Sequence, residues 1–218
     1  MIDATPLSLY IHMPWCVRKC PYCDFNSHEA KATIPEQTYI EALLQDLSSE
    51  LPQVWGRRLL SIFIGGGTPS LLSATAYEQL FSQLRQLLPL RPNTEITLEA
   101  NPGTFEQARF QAYRDLGINR LSIGIQSFND QFLQILGRVH HADEAHRAVQ
   151  IAQRAGFNNL NLDLMFGLPQ QSLAQALDDL QRAIDYQPTH LSWYQLTLEP
   201  NTLFHHQPPK QLPDEDLL

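Results

Sequence analysis

The chain has 218 residues, 43% of them apolar and 17% charged, which is enough to fill a core and too apolar for a disordered segment. Its 15 basic and 23 acidic residues leave a net charge of −8, which argues against a nucleic-acid backbone as the main partner. No apolar run is long enough for a membrane span, and Met1-Ile2-Asp3-Ala4-Thr5-Pro6 lacks the basic and apolar regions of a secretory leader, so a cytoplasmic location is expected.

In chain order, short β-branched runs alternate with longer helical patterns. A strand is expected at 7–13, a helix at 36–51, a strand at 59–64 and a helix at 74–88. A strand at 95–100 and a helix at 105–116 follow, then a strand at 120–125, a short helix at 130–136 and a helix at 142–155. The last expected elements are a strand at 160–165, a helix at 172–186 and a strand at 191–196. In the helix at 105–116 the apolar residues Phe105, Ala108, Ala112, Tyr113 and Leu116 recur at helical spacing. Thr104 is its expected N-cap and Gly117 its stop, and Gly156 stops the next long helix.

Strands separated by helical crossovers must run parallel. The pattern fits either a doubly wound sheet or part of a barrel. A closed eight-stranded barrel takes about 250 residues, so six strands point to an α/β fold with a partial (β/α)6 TIM-like barrel. The expected division is a core domain over 1–200 and a Pro-rich linker over 201–218. Asp214-Glu215-Asp216-Leu217-Leu218 reads as the acidic first turn of a helix that begins a C-terminal domain.

Ligand sites in parallel α/β folds lie at the carboxyl ends of the strands. Those ends carry His12-Met13-Pro14-Trp15, Gly65-Gly66-Gly67-Thr68-Pro69, Glu99-Ala100-Asn101-Pro102-Gly103, Gln126-Ser127, Asp163 and Gln195 with Thr197 and Glu199. Any one of these could be an ordinary turn residue. Six ends converging with polar groups form a small-molecule pocket. The glycine run is neither a P-loop nor a dinucleotide fingerprint, because the required spacings are absent. Its use is close backbone approach.

The chain has 3 cysteines, and Cys16, Cys20 and Cys23 stand at C-x3-C-x2-C spacing. An odd number cannot form a closed disulfide set, and clustered thiols in a reducing compartment bind metal or do redox work. Zinc would need a fourth ligand, which His12 or His28 could supply. An iron–sulfur cubane held by three cysteines leaves one iron open for a ligand. Arg18 and Lys19 are expected to favour the thiolate form. His140-His141, His205-His206, His146 and His190 read as capping or solvated residues rather than haem ligands.

The cysteine spacing, with Tyr22 before the third cysteine, resembles the radical S-adenosylmethionine (SAM) superfamily. The words Tyr10-Ile11-His12-Met13-Pro14-Trp15-Cys16, Ile64-Gly65-Gly66-Gly67-Thr68-Pro69-Ser70, Glu99-Ala100-Asn101-Pro102-Gly103, Ser122-Ile123-Gly124-Ile125-Gln126-Ser127-Phe128 and Asp163-Leu164-Met165-Phe166-Gly167-Leu168-Pro169 resemble the oxygen-independent coproporphyrinogen III oxidase family. The likeness is strongest to its HemW branch of haem chaperones and runs from Leu7 to Leu218. The resemblance implies that Cys16, Cys20 and Cys23 ligate a [4Fe–4S] cluster whose open iron binds SAM. It implies that Tyr10 and Tyr22 flank cluster and cofactor, and that Gly66, Gly67 and Thr68 contact the methionine moiety. Glu99, Gln126, Arg138, Asp163 and Thr197 then complete the cofactor pocket.

Two departures bear on function. The decarboxylating branch carries a cysteine two residues after the third cluster cysteine, and this chain has Phe25 there. Members of the family also continue past the length seen here into a C-terminal helical domain. The resemblance therefore implies a chaperone that binds haem and passes it to an acceptor protein. The alternative enzyme is a coproporphyrinogen dehydrogenase-like oxidoreductase, decarboxylating coproporphyrinogen III with SAM and an electron donor. A zinc-stabilised α/β binding module is the third reading.

Overall fold

The computed structural model describes residues 5–103 and 107–214. Strand β1 (Leu7–Met13) leads into β2 (Trp15–Cys16), the cysteine loop and β3 (His28–Glu29). Helix α1 (Glu36–Val54) returns the chain to β4 (Leu59–Gly66), which ends in a 3-10 turn at Pro69–Leu71. Helix α2 (Ala74–Leu87), β5 (Leu90–Ala100), α3 (Gln107–Asp115) and β6 (Arg120–Gln126) continue the alternation. After β6 come α4 (Asp130–Ile135), α5 (Ala142–Arg154), β7 (Leu160–Phe166), α6 (Leu173–Asp185), β8 (His190–Gln195) and the single turn α7 (Leu203–His206).

Six strands form one parallel sheet in the order β1-β4-β5-β6-β7-β8. Each new strand is added on the same side of the last, so the order never reverses. A doubly wound sheet would reverse at its switch point. With right-handed crossovers, this order puts the helices on one face and rolls the sheet into a partial barrel.

The strands show why one side is a core and the other a cavity. Along β6, Leu121, Ile123 and Ile125 are fully buried in the main apolar cluster, whereas Ser122, Gly124 and Gln126 line the cavity. This is the period-two alternation of a strand. The helices supply the other half of the core from i, i+3, i+4 faces: Tyr77, Leu80, Phe81 and Leu84 of α2, and Ala145, Ala148, Val149 and Ala152 of α5. Caps place the helix starts. Ser73 Oγ accepts from Ala76 N at 3.1 Å and donates to Glu36 at 2.6 Å, which ties the first turns of α1 and α2 together. Gly117 and Gly156 end their helices with φ of +101° and +83°, the left-handed stop.

Two boundaries differ from expectation by more than two residues, and some short elements were not foreseen. Strand β5 begins at Leu90, five residues early, because the pairing jumps from Leu59↔Leu90 to Ser61↔Glu95. Pro92 falls in that bulged stretch, where no ladder donor is required. Helix α1 runs on through Pro52 to Val54, although the proline gives up one intrahelical donor there. The small β2–β3 sheet and α7 were not anticipated, being too short to carry a periodic signal. Thr104 and Phe105, the expected cap and start of α3, lie outside the described residues, as do Glu215 to Leu218.

The segment after Pro200 packs on the body. Phe204 is buried in a second cluster with Phe132, Leu136, Met165, Leu168 and Leu196, and its N–H donates to Pro21 O at 2.9 Å. Among the described residues no helix is long and apolar enough to cross a membrane.

Leu98 is fully buried on β5, while Leu60 on β4 is 53% exposed. Leu98→Ala is expected to cost about 2–5 kcal/mol in denaturant unfolding, and Leu60→Ala within about 0.5 kcal/mol of zero.

Candidate functional site

The cysteine loop is closed at its base and pinned to the sheet. Trp15 and Cys16 pair with His28 and Glu29, and His28 N and Ala30 N donate to Pro14 O and Cys16 O at 2.7 and 2.9 Å. From the sheet side, Gly67 N donates to Met13 O at 2.6 Å and Thr68 N to Trp15 O at 2.7 Å. A Cβ on Gly67 would lie 2.5 Å from Trp15 O, and one on Gly66 would lie 2.6 Å from the His12 ring. Gly66 also has φ +111°, a region that favours glycine. The glycine run is therefore required by the seam between the β1 and β4 ends. Both N–H groups are engaged within the protein, since Gly66 N donates to Glu99 Oε2 at 3.1 Å.

Under this loop lies a cavity of about 500 Å³, within the range of small-molecule sites. Its walls include Cys16, Cys20, Cys23, Tyr22, Gly66, Gly67, Thr68, Glu99, Gln126, Arg138, Asp163 and Thr197. All but one of the site residues named from the sequence thus meet in one place. Tyr10 is the exception. It is 56% exposed, stacks on Phe63 with ring centroids 6.2 Å apart, and hydrogen-bonds His12 Nδ1 at 3.0 Å.

The far wall is shaped by a bulge. Pairing shifts from Gly124↔Asp163 to Gln126↔Leu164, and Gln126 takes φ +66°. Bulges next to sites re-aim side chains. Here Gln126 Oε1 accepts from Tyr194 Oη at 2.8 Å. Next to it, Asp163 accepts from Ser122 Oγ at 3.0 Å and from Asn161 Nδ2 at 2.8 Å. Burial raises the Asp163 carboxyl above its ordinary range despite those bonds. Burial, then the nearby Asp163 charge, pushes Glu99 up to about 7 against the Gly66 N–H. The cavity therefore holds two buried carboxyls whose burial favours the protonated form.

Arg138 follows the turn of α4 at Gly137, whose φ is +68° and whose missing Cβ makes room for Pro21 at 2.8 Å. That contact brings the arginine inward rather than leaving it as a surface charge. Its Nη2 donates to Asn101 Oδ1 at 2.5 Å and Gly124 O at 2.9 Å, and its Nη1 to Cys20 Sγ at 3.6 Å. Its buried Nε has no partner among the described residues.

The donor set fits a sulfur-held metal centre at the cavity rim, because the three thiols are unpaired and one receives a permanent cation's N–H. Among the described residues, no three His, Cys, Asp or Glu side chains stand close enough to hold a single metal ion. Of the two histidines expected as a fourth zinc ligand, His12 is engaged at both ring nitrogens, with Tyr10 Oη at Nδ1 and with Asn26 O at Nε2 at 2.8 Å. Lys19 was expected to favour the thiolate form. Its ammonium donates to Phe25 O at 2.9 Å, and burial raises the Cys23 thiol. The histidines are engaged locally. His140 Nε2 bonds Ile125 O at 3.1 Å, His146 Nδ1 bonds Tyr186 Oη at 2.7 Å, and His205 Nδ1 bonds Leu198 O at 3.2 Å.

Sequence reasoning did not single out Tyr194, Ser192 and Ser122, which also line the cavity. The available signal was period two: Ser122, Gly124 and Gln126 on β6, and Ser192 and Tyr194 on β8, are the residues that face inward.

Residues 10–183 match the Radical SAM superfamily, and the chain belongs to that superfamily. Within it, the chain is 58% identical over 217 residues to "Heme chaperone HemW" of Haemophilus influenzae, covering 98% of this chain and 56% of that protein. It is 56% identical over 218 residues to "Heme chaperone HemW" of Escherichia coli, covering 57% of that protein. The chain thus spans about half the length of the curated relatives it matches. Among solved structures it resembles the radical SAM coproporphyrinogen III oxidase HemN of Escherichia coli, with a TM-score of 0.87, 29% identity, and coverage of 97% of this chain and 49% of that one. A radical SAM methyltransferase, TsrM from Kitasatospora setae, shares the fold alone at a TM-score of 0.64 and 13% identity over 89% of this chain and 35% of that one.

Glu99 has a testable signature. Its folded pKa of about 7 lies above its ordinary value of 4.5, so its contribution to stability is fully present below about pH 4.5 and is lost as pH rises through about 7. The stability of Glu99→Gln relative to the parent chain is expected to improve between pH 5 and 8, by about 3 kcal/mol at most. Urea midpoints across that range measure it, and a flat difference would reject the buried, proton-binding carboxyl.

Proposed function

We propose that this chain carries a [4Fe–4S] cluster on Cys16, Cys20 and Cys23, binds SAM beside it, and serves in the cytoplasm as a haem chaperone that passes haem to an acceptor protein. The observation that carries the chaperone reading is Phe25. It stands at the cavity wall, 55% exposed, where the decarboxylating branch has a further cysteine. Two relatives of more than half identity described as heme chaperones support the same choice.

When bound, the cluster with SAM supplies one-electron chemistry at the open iron. The chain's own residues prepare the place for it. The seam at Gly66, Gly67 and Thr68 holds the cysteine loop over the cavity and presents backbone carbonyls to the amino-acid end of SAM. Glu99, Asp163 and Gln126 offer acceptors and a fixed amide to its hydroxyls and ring. Thr197 closes the rim from the β8 side, and Tyr22 backs Cys20. Tyr10 belongs to the mouth rather than the wall, and its part is the weakest of the set, since its hydroxyl is held by His12.

Two assays on the anaerobically reconstituted protein decide between chaperone and decarboxylase. Haem titration is expected to give a saturable spectral change at one haem per chain. Incubation with coproporphyrinogen III, SAM and dithionite is expected to give no decarboxylated product. Product formation with an intact cluster would overturn the chaperone reading in favour of the oxidase, and an absence of haem binding would overturn it outright.

A further inference from the structure

Both terminal nitrogens of Arg138 donate to protein atoms at the edge of the cavity that the side chain lines. Nη2 is fixed by Asn101 Oδ1 and Gly124 O, which leaves Nη1 aimed at Cys20 Sγ at 3.6 Å. Gly124 allows this because a Cβ there would come within 2.7 Å of Asn101 Oδ1 and 3.4 Å of Arg138 Nη2. The Tyr22 hydroxyl stands against both Cys20 and Arg138. The three thiols are therefore unequal. Cys20 faces a guanidinium and a phenol, whereas Cys23 faces the neutral Ser27 hydroxyl at 3.9 Å.

An arginine is charged at every accessible pH, and its attraction to a thiolate is strengthened where water is excluded. Hydrogen bonds to the sulfurs of a cluster are among the levers that set its potential. The added electron of the reduced state puts more negative charge on the sulfurs, so a cationic donor stabilises that state more than the oxidised one.

We propose that Arg138, assisted by Tyr22, is a tuning residue that raises the reduction potential of the cluster through the Cys20 sulfur. This rests on the cluster reading above. It assigns Arg138 a duty toward the metal centre that is independent of any bound SAM.

The test is a potentiometric titration followed by electron paramagnetic resonance, without SAM, on anaerobically reconstituted protein whose iron and sulfide contents are measured first. In Arg138→Gln the ratio of reduced to oxidised cluster at the parent midpoint is expected to fall about tenfold, about 59 mV for a one-electron couple. Tyr22→Phe is expected to move the midpoint in the same direction by less, and Arg138→Lys to fall between Arg138→Gln and the parent. Midpoints unchanged in Arg138→Gln and Tyr22→Phe, with full cluster content, would overturn the proposal while leaving the cluster reading intact. Failure of the parent chain to take up iron would overturn the cluster reading and the proposal with it. Should Arg138→Gln alone lose its cluster, the midpoint of Tyr22→Phe, which removes one hydroxyl, decides.

Discussion

Two backbone hydrogen bonds, from Gly67 N to Met13 O and from Thr68 N to Trp15 O, fix where everything else in the site can be. They press the end of β4 against the chain leading into the cysteines, so closely that a single added carbon would collide with a carbonyl oxygen. Because the seam is made of backbone, its spacing does not depend on a side-chain rotamer. It sets the height of the cysteine loop above the barrel mouth and hence the depth of the cavity beneath. A loop held this way is a scaffold for ligands rather than a mobile surface segment.

On the opposite wall a second backbone device acts, the bulge in β6. One extra residue turns Gln126 into the cavity in a left-handed conformation, and Tyr194 holds its amide in one orientation. Between seam and bulge the strands bring two carboxyls, and the low dielectric raises both above their ordinary range. Such a pocket offers hydrogen-bond acceptors and, where a carboxyl is protonated, a donor as well. Arg138 completes the arrangement from the outside, carried in by the Gly137–Pro21 contact to face Cys20.

Much of this was legible in the residues. The sequential alternation of strand and helix, and the rule that parallel strands open at their carboxyl ends, together pick out Gly66, Glu99, Gln126 and Asp163 without a coordinate. What was not legible depends on contacts between distant segments. The register jump that absorbs Pro92 is set by β4, not by β5 itself. The inward course of Arg138 needs Pro21, 117 positions away in the chain, to fill the space above Gly137. Tyr10 follows the inward alternation of β1, yet its ring settles on Phe63 at the open edge of the sheet. The lysine beside the thiols is drawn to a carbonyl of its own loop, which sequence proximity could not reveal.

The central claim is that three cysteines at this rim hold a cubane with one iron open to SAM. Electron paramagnetic resonance of the anaerobically reconstituted, dithionite-reduced protein, recorded with and without SAM, tests it most directly. The account predicts a reduced-cluster signal that changes on adding SAM. A protein that takes up zinc in place of iron, or a cluster signal indifferent to SAM, would contradict it.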